Sequence, residues 1–326
     1  MAKARAIVKR RKAVRNIKKI TKTMQMIATA KFQKSLKRAV GTKAYTMKVR
    51  EIVRELASSA GNVEHPLLRK VTDENRTNRV ALMVITSNRG LAGAYNGSVL
   101  RTATAFIREQ EAAGKQIDLY VVGKKGISYF RYQRRATAAT AEAQDVPRYA
   151  DVERYSNRAM SEFVNGTTDA VAIAYMNFIS TGVQRPEVMT LLPLGDVAEA
   201  AEHVAGQMAE REAQIKAGML DAKRSGADVR AEEHAKPKGE VVYDFSPDPR
   251  ELLDELLPLT VKTAFFQTFL DATTSEHVAR MVSMKSATDN ADKMVKTLTM
   301  QYNRARQSQI TTELSEIMGG VEAMKG

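Results

Sequence analysis

Sixty consecutive residues, Leu259 to Met318, contain neither Gly nor Pro. As one helix rising about 1.5 Å per residue they would run roughly 90 Å. A single ball of this chain's 326 residues, with a radius of gyration near 20 Å, is only about 50 Å across, so this helix cannot be a core element of one globule. Apolar or small residues recur along it at three- and four-residue steps: Met281, Met284, Thr288, Ala291, Val295, Leu298, Tyr302 and Ala305, then Ile310, Leu314 and Ile317. That pattern is a narrow seam for one partner helix. Gly319-Gly320 is the expected stop, because glycine takes the left-handed backbone that ends a helix.

The partner is expected at the other end of the chain. Met1 to Val40 also lacks Gly and Pro, and Val14, Ile17, Thr21, Met24 and Ala28 alternate by threes and fours. This is the coiled-coil spacing. The pattern continues past Gly41 through Val49, Ile52, Val53 and Leu56, so the single glycine is expected inside the helix at a cost of about 1 kcal/mol. The two termini therefore predict an antiparallel pair.

Charge is placed unevenly along the chain. Of its 51 Lys and Arg, seventeen lie in residues 1 to 50, where Asp and Glu are absent; beyond, 34 basic residues face 37 acidic ones. A solvated helix face would intersperse acids for i,i+4 pairing. An acid-free block instead points to an anionic partner. With no cysteine, disulfides, thiol catalysis and cysteine-bound metals are excluded. His65, His203, His234 and His277 lack ligand spacing and read as surface or packing residues. No run of eighteen apolar residues occurs, so no membrane-spanning helix is expected. The basic N-terminus lacks an apolar core and a cleavage site, so no secretory signal is expected.

Between the termini the period changes. Gly61 to Asn78 is a polar connector, after which Val80 to Thr86 is a continuous apolar run of strand length, the pattern of a strand buried on both faces. A turn, Ser87 to Asn96, leads into a helix near Ser98 to Ala113. Ile117 to Val122 reads as a second strand, followed by Gly123 and another helical stretch. Asp151 to Asn165 reads as a helix, and Ala170 to Phe178 and Glu187 to Leu192 as two more strands. This alternation predicts a small α/β layer with right-handed crossovers. The turn at Gly90 to Gly93 has neither the G-x-G-x-x-G spacing nor the lysine of a phosphate loop, and no acidic residue ends the next strand. It reads as a turn with special backbone angles. Gly195 to Glu240, rich in Ala, Glu, Lys and Arg, is a charged, partly helical excursion or linker. Ser246 or Asp248 is the expected cap of the terminal helix, and Pro258 marks its start or a kink. No catalytic constellation is present.

The fold class is therefore α/β plus a long coiled coil: N- and C-terminal helices paired antiparallel, with a small Rossmann-like domain inserted between them. The expected boundaries are 1–60 for the first helix, 61–194 for the α/β domain, 195–240 for the excursion and 241–326 for the last helix.

Four stretches resemble the gamma subunit of rotary, F-type ATP synthase. They are Ile17-Lys18-Lys19-Ile20-Thr21-Lys22-Thr23-Met24-Gln25-Met26-Ile27-Ala28, the turn Thr86 to Asn96, the strand end Leu191-Leu192-Pro193-Leu194, and the pair Ser275 to Ala291 and Tyr302 to Leu314. The excursion is the main departure, since many bacterial members lack it. Photosynthetic members carry a cysteine-pair redox switch near there, which this cysteine-free chain cannot form.

The resemblance implies a non-catalytic central-stalk rotor, with no cofactor and no metal. The helix pair enters the ring of alpha and beta subunits, and the foot sits with the epsilon subunit on the membrane c-ring. One copy per complex couples proton or sodium flow to ATP synthesis in the beta subunits. The implied location is peripheral, on the cytoplasmic face of a bacterial membrane. The family's rotor–stator coupling residues carry over to Met24, Arg280, Gln307, Thr311 and Glu313, with Arg306 and Arg89 as weaker additions. Lys18, Lys19, Lys22 and Lys31 form the basic N-terminal face, and Arg89, Gly90 and Gly93 belong to the foot's signature loop. The competing reading, a basic coiled-coil protein that binds nucleic acid, explains the N-terminal charge but not the α/β insert, and aromatics interleaved with the basic residues are missing.

Overall fold

The structure, a computed structural model, describes residues 2–60, 65–69, 71–72, 75–194 and 249–324. The 195–240 excursion, the caps Ser246 and Asp248, His203, His234 and the Leu56 side chain lie outside the described residues. The chain divides into two compact units. One holds the residues up to Lys31, the turn Leu91–Gly93 and everything from His277 on; the other holds Phe32–Gly90 and Ala94–Glu276.

The larger unit is built on a five-stranded sheet of order β3-β2-β1-β4-β5. Its strands are β1 (Arg79–Ile85), β2 (Gln116–Val122), β3 (Ala139–Ala141), β4 (Ala170–Phe178) and β5 (Gln184–Leu192). Strand β1 pairs parallel with β2 and β4, and β2 pairs parallel with β3. Strand β5 runs antiparallel to β4. An all-parallel reading of the alternating pattern misses that reversal, because four residues at Ser180–Val183 close a tight turn (Ser180 N to Val183 O, 2.9 Å) instead of a helical crossover. Strand β3 escapes the apolar-run criterion as well: it is three residues of Ala and Thr at the sheet edge.

Helices α2 (Tyr95–Ala112) and α3 (Lys124–Tyr132) follow β1 and β2, and α4 (Tyr149–Val164) precedes β4. Alternate strand residues point to opposite faces. Ala81, Met83, Ile85, Val171, Ile173 and Tyr175 pack against α4 and the C-terminal helix α5 (Pro249–Ala323), with Val49 and Val53 of the N-terminal helix α1 (Ala2–Ala60). The other face is covered by α2, which packs on β1, β2, β4 and β5. Within the connector, His65 caps a 3-10 turn at Pro66–Leu68 by accepting the Leu67 amide on Nδ1 at 3.0 Å. Burial, opposed by Asp254, holds its pKa below the ordinary value. Its role is local packing.

Both long helices run through residues that could have broken them. Helix α1 runs unbroken through Gly41, around which a side chain would meet nothing within 4 Å. Helix α5 begins at Pro249, whose missing N–H is harmless at a first turn, and continues through Pro258, which forfeits one i to i−4 bond. It also passes through Gly319-Gly320 to Ala323, contrary to the expected stop. Both glycines stand in open space; two interior glycines cost about 1 kcal/mol each but force no termination.

Candidate functional site: the paired terminal helices

In the smaller unit α1 and α5 pack side by side with opposite chain direction. Arg11 lies over the ring of Tyr302, 4.9 Å from its centroid. Val14 clusters with Ala291 and Leu298. Lys18 Nζ meets Asp292 Oδ1 at 2.6 Å, and Thr288 donates from Oγ1 to Thr21 Oγ1 at 2.8 Å. As numbers rise on one helix they fall on the other, as expected for an antiparallel pair.

The seam is thin and unusually small in its side chains. Buried on α1 are Val14, Thr21 and Ala28, each seven residues apart, and on α5 Met284, Thr288, Ala291 and Leu298. This is a heptad column. The second expected column is wetter: Ile17 is 51% exposed, and Met24 is half-buried. Threonine suits such a seam because its hydroxyl can be satisfied locally. Thr21 donates to Lys18 O, and the single Thr288 proton is shared between Thr21 Oγ1 and Met284 O, so the buried hydroxyls are not orphaned.

The nominated coupling residues fall into different environments. Arg280 is buried. Gln307, Thr311 and Glu313 are exposed on a stretch of α5 where every residue from Ile310 to Val321 is exposed. There Thr311 donates to Gln307 O at 3.0 Å, and Glu313 accepts from Gln309 Nε2 at 2.8 Å. Gln307 and Thr311 share a helix face one turn apart, whereas Glu313 lies round the barrel. Ile310, Leu314, Ile317 and Val321 make an apolar stripe that no described residue of the chain covers.

Of the basic face, Lys19 and Lys22 are exposed, while Lys31 is half-buried. Lys18 is already engaged by Asp292, and that ammonium holds the Asp292 carboxyl below its ordinary pKa.

The signature loop is a structural lock. Leu91 and Gly93 adopt positive φ, 63° and 55°, and a side chain at Gly93 would sit 3.9 Å from Ser283 Cβ of α5. In the α/β unit Arg89 pairs with Asp145 at 3.2 Å. A Cβ at Gly123 would lie 2.2 Å from Thr86 O, so only a glycine there lets β1 and the start of α3 approach this closely. The first amides of α3 are all taken by β1's end: Lys124 N by Asn88 Oδ1, Lys125 N by Ser87 O and Gly126 N by Thr86 Oγ1. The amides that would cradle a phosphate in this crevice therefore have partners within the protein. Thr86, Ser87, Asn88 and Asn96 were legible as a motif, but their function as plugs and clasps needed coordinates. Asn96 accepts the Ser87 amide at 2.9 Å.

No group of His, Asp or Glu among the described residues could hold a metal ion, and no described helix is long and apolar enough to cross a membrane. A terminal helix pair whose α5 residues Ile310–Val321 are exposed among the described residues, in a chain that also carries an inserted α/β domain, has the features of an assembly part. The family model described as ATP synthase matches residues 3–324. Among curated relatives, the ATP synthase gamma chain of Rhodopirellula baltica is 39% identical with both chains covered in full, and that of Leptospira biflexa is 35% identical over 99% of this chain and all of the relative. Among solved structures, a chain of the Euglena gracilis mitochondrial ATP synthase OSCP/F1/c-ring structure aligns with TM-score 0.60 at 17% identity, covering 99% of this chain and 95% of that one. A chain of the Tetrahymena thermophila central stalk/c-ring structure gives 0.53 at 17% identity, covering 82% and 99%. The chain belongs to the ATP synthase gamma-chain family.

Proposed function

We propose that this chain is the central-stalk rotor of an ATP synthase, transmitting ion-driven rotation of a membrane c-ring to nucleotide sites on an alpha/beta ring. The observation that carries the reading is full-length relationship to gamma chains combined with a terminal helix pair whose α5 end is bare. A single asymmetric shaft in a ring of equivalent sites presents each site with different contacts. It thereby biases each toward a different conformation, and turning it passes those biases round. The chain performs no bond chemistry itself.

In this reading Gln307, Thr311, Glu313 and the stripe Ile310–Val321 are what the ring meets, and the exposed Lys19 and Lys22 meet acidic ring surfaces. Their attraction stays modest, since exposed ion pairs contribute only about 0–1 kcal/mol and are screened within about 8 Å. That suits a bearing. The partners are alpha, beta and epsilon subunits and the c-ring, with one copy of this chain per complex, peripheral to the cytoplasmic face of a bacterial membrane.

Two measurements test it. Affinity purification of the tagged chain from its own cells should bring down the ring and c subunits; salt-sensitive retention on DNA without them would instead support nucleic-acid binding. In the assembled complex, Met24→Lys places a charge at the half-buried edge of the seam on an already basic helix, so protons pumped per ATP should fall while hydrolysis persists. An unchanged ratio would remove Met24 from the coupling set.

A further inference from the structure

The larger unit contains a cavity that the rotor reading does not use. It lies between the β1–β2–β3 end of the sheet, α4 and Phe265 of α5, and about 70 Å³ of it is open to the centre of a water-sized sphere. Its cause is visible in the sequence: β1, β3 and α4 contribute Ala81, Ala139, Ala141 and Ala159 to the lining, methyl groups where a close-packed interior would put larger side chains. Apart from Thr140 the walls are apolar, and one polar group, its Arg158 side chain 54% exposed, stands at the mouth.

That group is Tyr120, Glu162 and Arg158. The Tyr120 hydroxyl donates to Glu162 Oε1 at 2.8 Å and Oε2 at 2.9 Å, Arg158 Nε donates to Glu162 Oε1 at 2.8 Å, and the guanidinium sits 4.9 Å over the Tyr120 ring. Charge is balanced between Glu162 and Arg158. A carboxylate accepts about four hydrogen bonds and a guanidinium offers five donors, so Glu162 Oε2 retains acceptor capacity and Arg158 retains donors. A neutral hydroxyl can use both at once, donating to the first and accepting from the second. A charged head group would unbalance the pair. We propose that this cavity binds a small, neutral, monocyclic hydroxyl compound, its ring among the alanines and Phe265 and its hydroxyl on Glu162 and Arg158.

The test uses the full chain with 4-fluorophenol and fluorobenzene as probes, read by fluorine NMR. 4-Fluorophenol should bind saturably and raise the unfolding temperature with concentration, and it should bind at least about fivefold more tightly than fluorobenzene. Ala141→Leu, which fills the space with three extra carbons, should weaken 4-fluorophenol about tenfold or more. Glu162→Gln should erase the preference for the hydroxyl while leaving fluorobenzene unchanged. Should Ala141→Leu fail to fold by circular dichroism, Ala139→Val serves in its place. Non-saturable binding, or binding unaltered in the folded cavity-filling variant, overturns the site; equal affinity for the two probes in the unsubstituted chain overturns the assignment of the mouth.

Discussion

Helix α5 lives in two different surroundings. From Val261 to Ser275, in the α/β unit, it is buried almost all round: Val261, Phe265, Thr268, Leu270, Thr274 and Ser275 are 0–1% exposed. From Met284 to Leu298, in the paired-helix unit, only four of fifteen residues are buried. The first stretch is held by a broad core in which Phe269 stacks on Tyr155 at 5.9 Å and Lys262 meets Glu153 at 2.9 Å. The second is held by a narrow strip of apolar residues with a threonine pair at its centre. The contrast shows one helix deeply buried in the α/β unit and only shallowly buried in the paired-helix unit.

The comparison can be broken most forcefully at the anchor. Phe265→Ala should cost about 3–5 kcal/mol in chemical denaturation, the range for emptying a large core site; a loss under about 1 kcal/mol would mean the core tolerates a void there. In the seam, Ala291→Leu should cost about 1–3 kcal/mol by forcing the helices apart, and an unchanged midpoint would show that the pairing is looser than the buried Ala291 implies. Smaller again, Thr288→Ala should cost about 1 kcal/mol, because Thr21 keeps its bond to Lys18 O.

A pH measurement separates the units in another way. Burial first, and then the bond to Glu162, push the Tyr120 phenol from 10.0 up to about 12. A folded pKa above the unfolded one gives stability that is complete below pH 10 and is lost as pH rises toward 12. Tyr120→Phe should flatten that alkaline slope in thermal melts of the α/β unit; an unaltered slope would place the effect elsewhere. Smallest of all, Lys18→Ala should leave the denaturation midpoint within error, because both Lys18 and Asp292 are more than 40% exposed. A clear shift that vanishes in salt would mark the pair as a true clamp.

Much of the architecture was legible because it follows from spacing. The Gly- and Pro-free termini and their apolar steps fix two long helices, and the continuous apolar runs at Val80 and Ala170 fix strands buried on both faces. Other features lacked a local signal. Ala139–Ala141 carries no apolar run; the reversal of β5, by contrast, was announced by Ser180-Thr181-Gly182, a short Gly-containing link between two strands that the alternating pattern passes over. Ile17 and Val14 look alike in the pattern, yet only Val14 is buried, because Ala291 and Leu298 of the partner helix cover Val14 while Ile17 stays 51% exposed. Gly319-Gly320 resembles a stop but does not act as one: a glycine allows the left-handed turn without requiring it.

By itself, then, the sequence determined that the ends of this chain form long helices with complementary seams around an α/β insert, because helical and strand periods are local properties of residue order. Only the tertiary structure decided which residues that order makes important. It set Thr21 against Thr288 and filled the α3 amides with Thr86, Ser87 and Asn88. It also left the α5 end bare and opened a cavity behind the alanines of β3. These depend on distances between residues far apart in the chain, and no period encodes a distance.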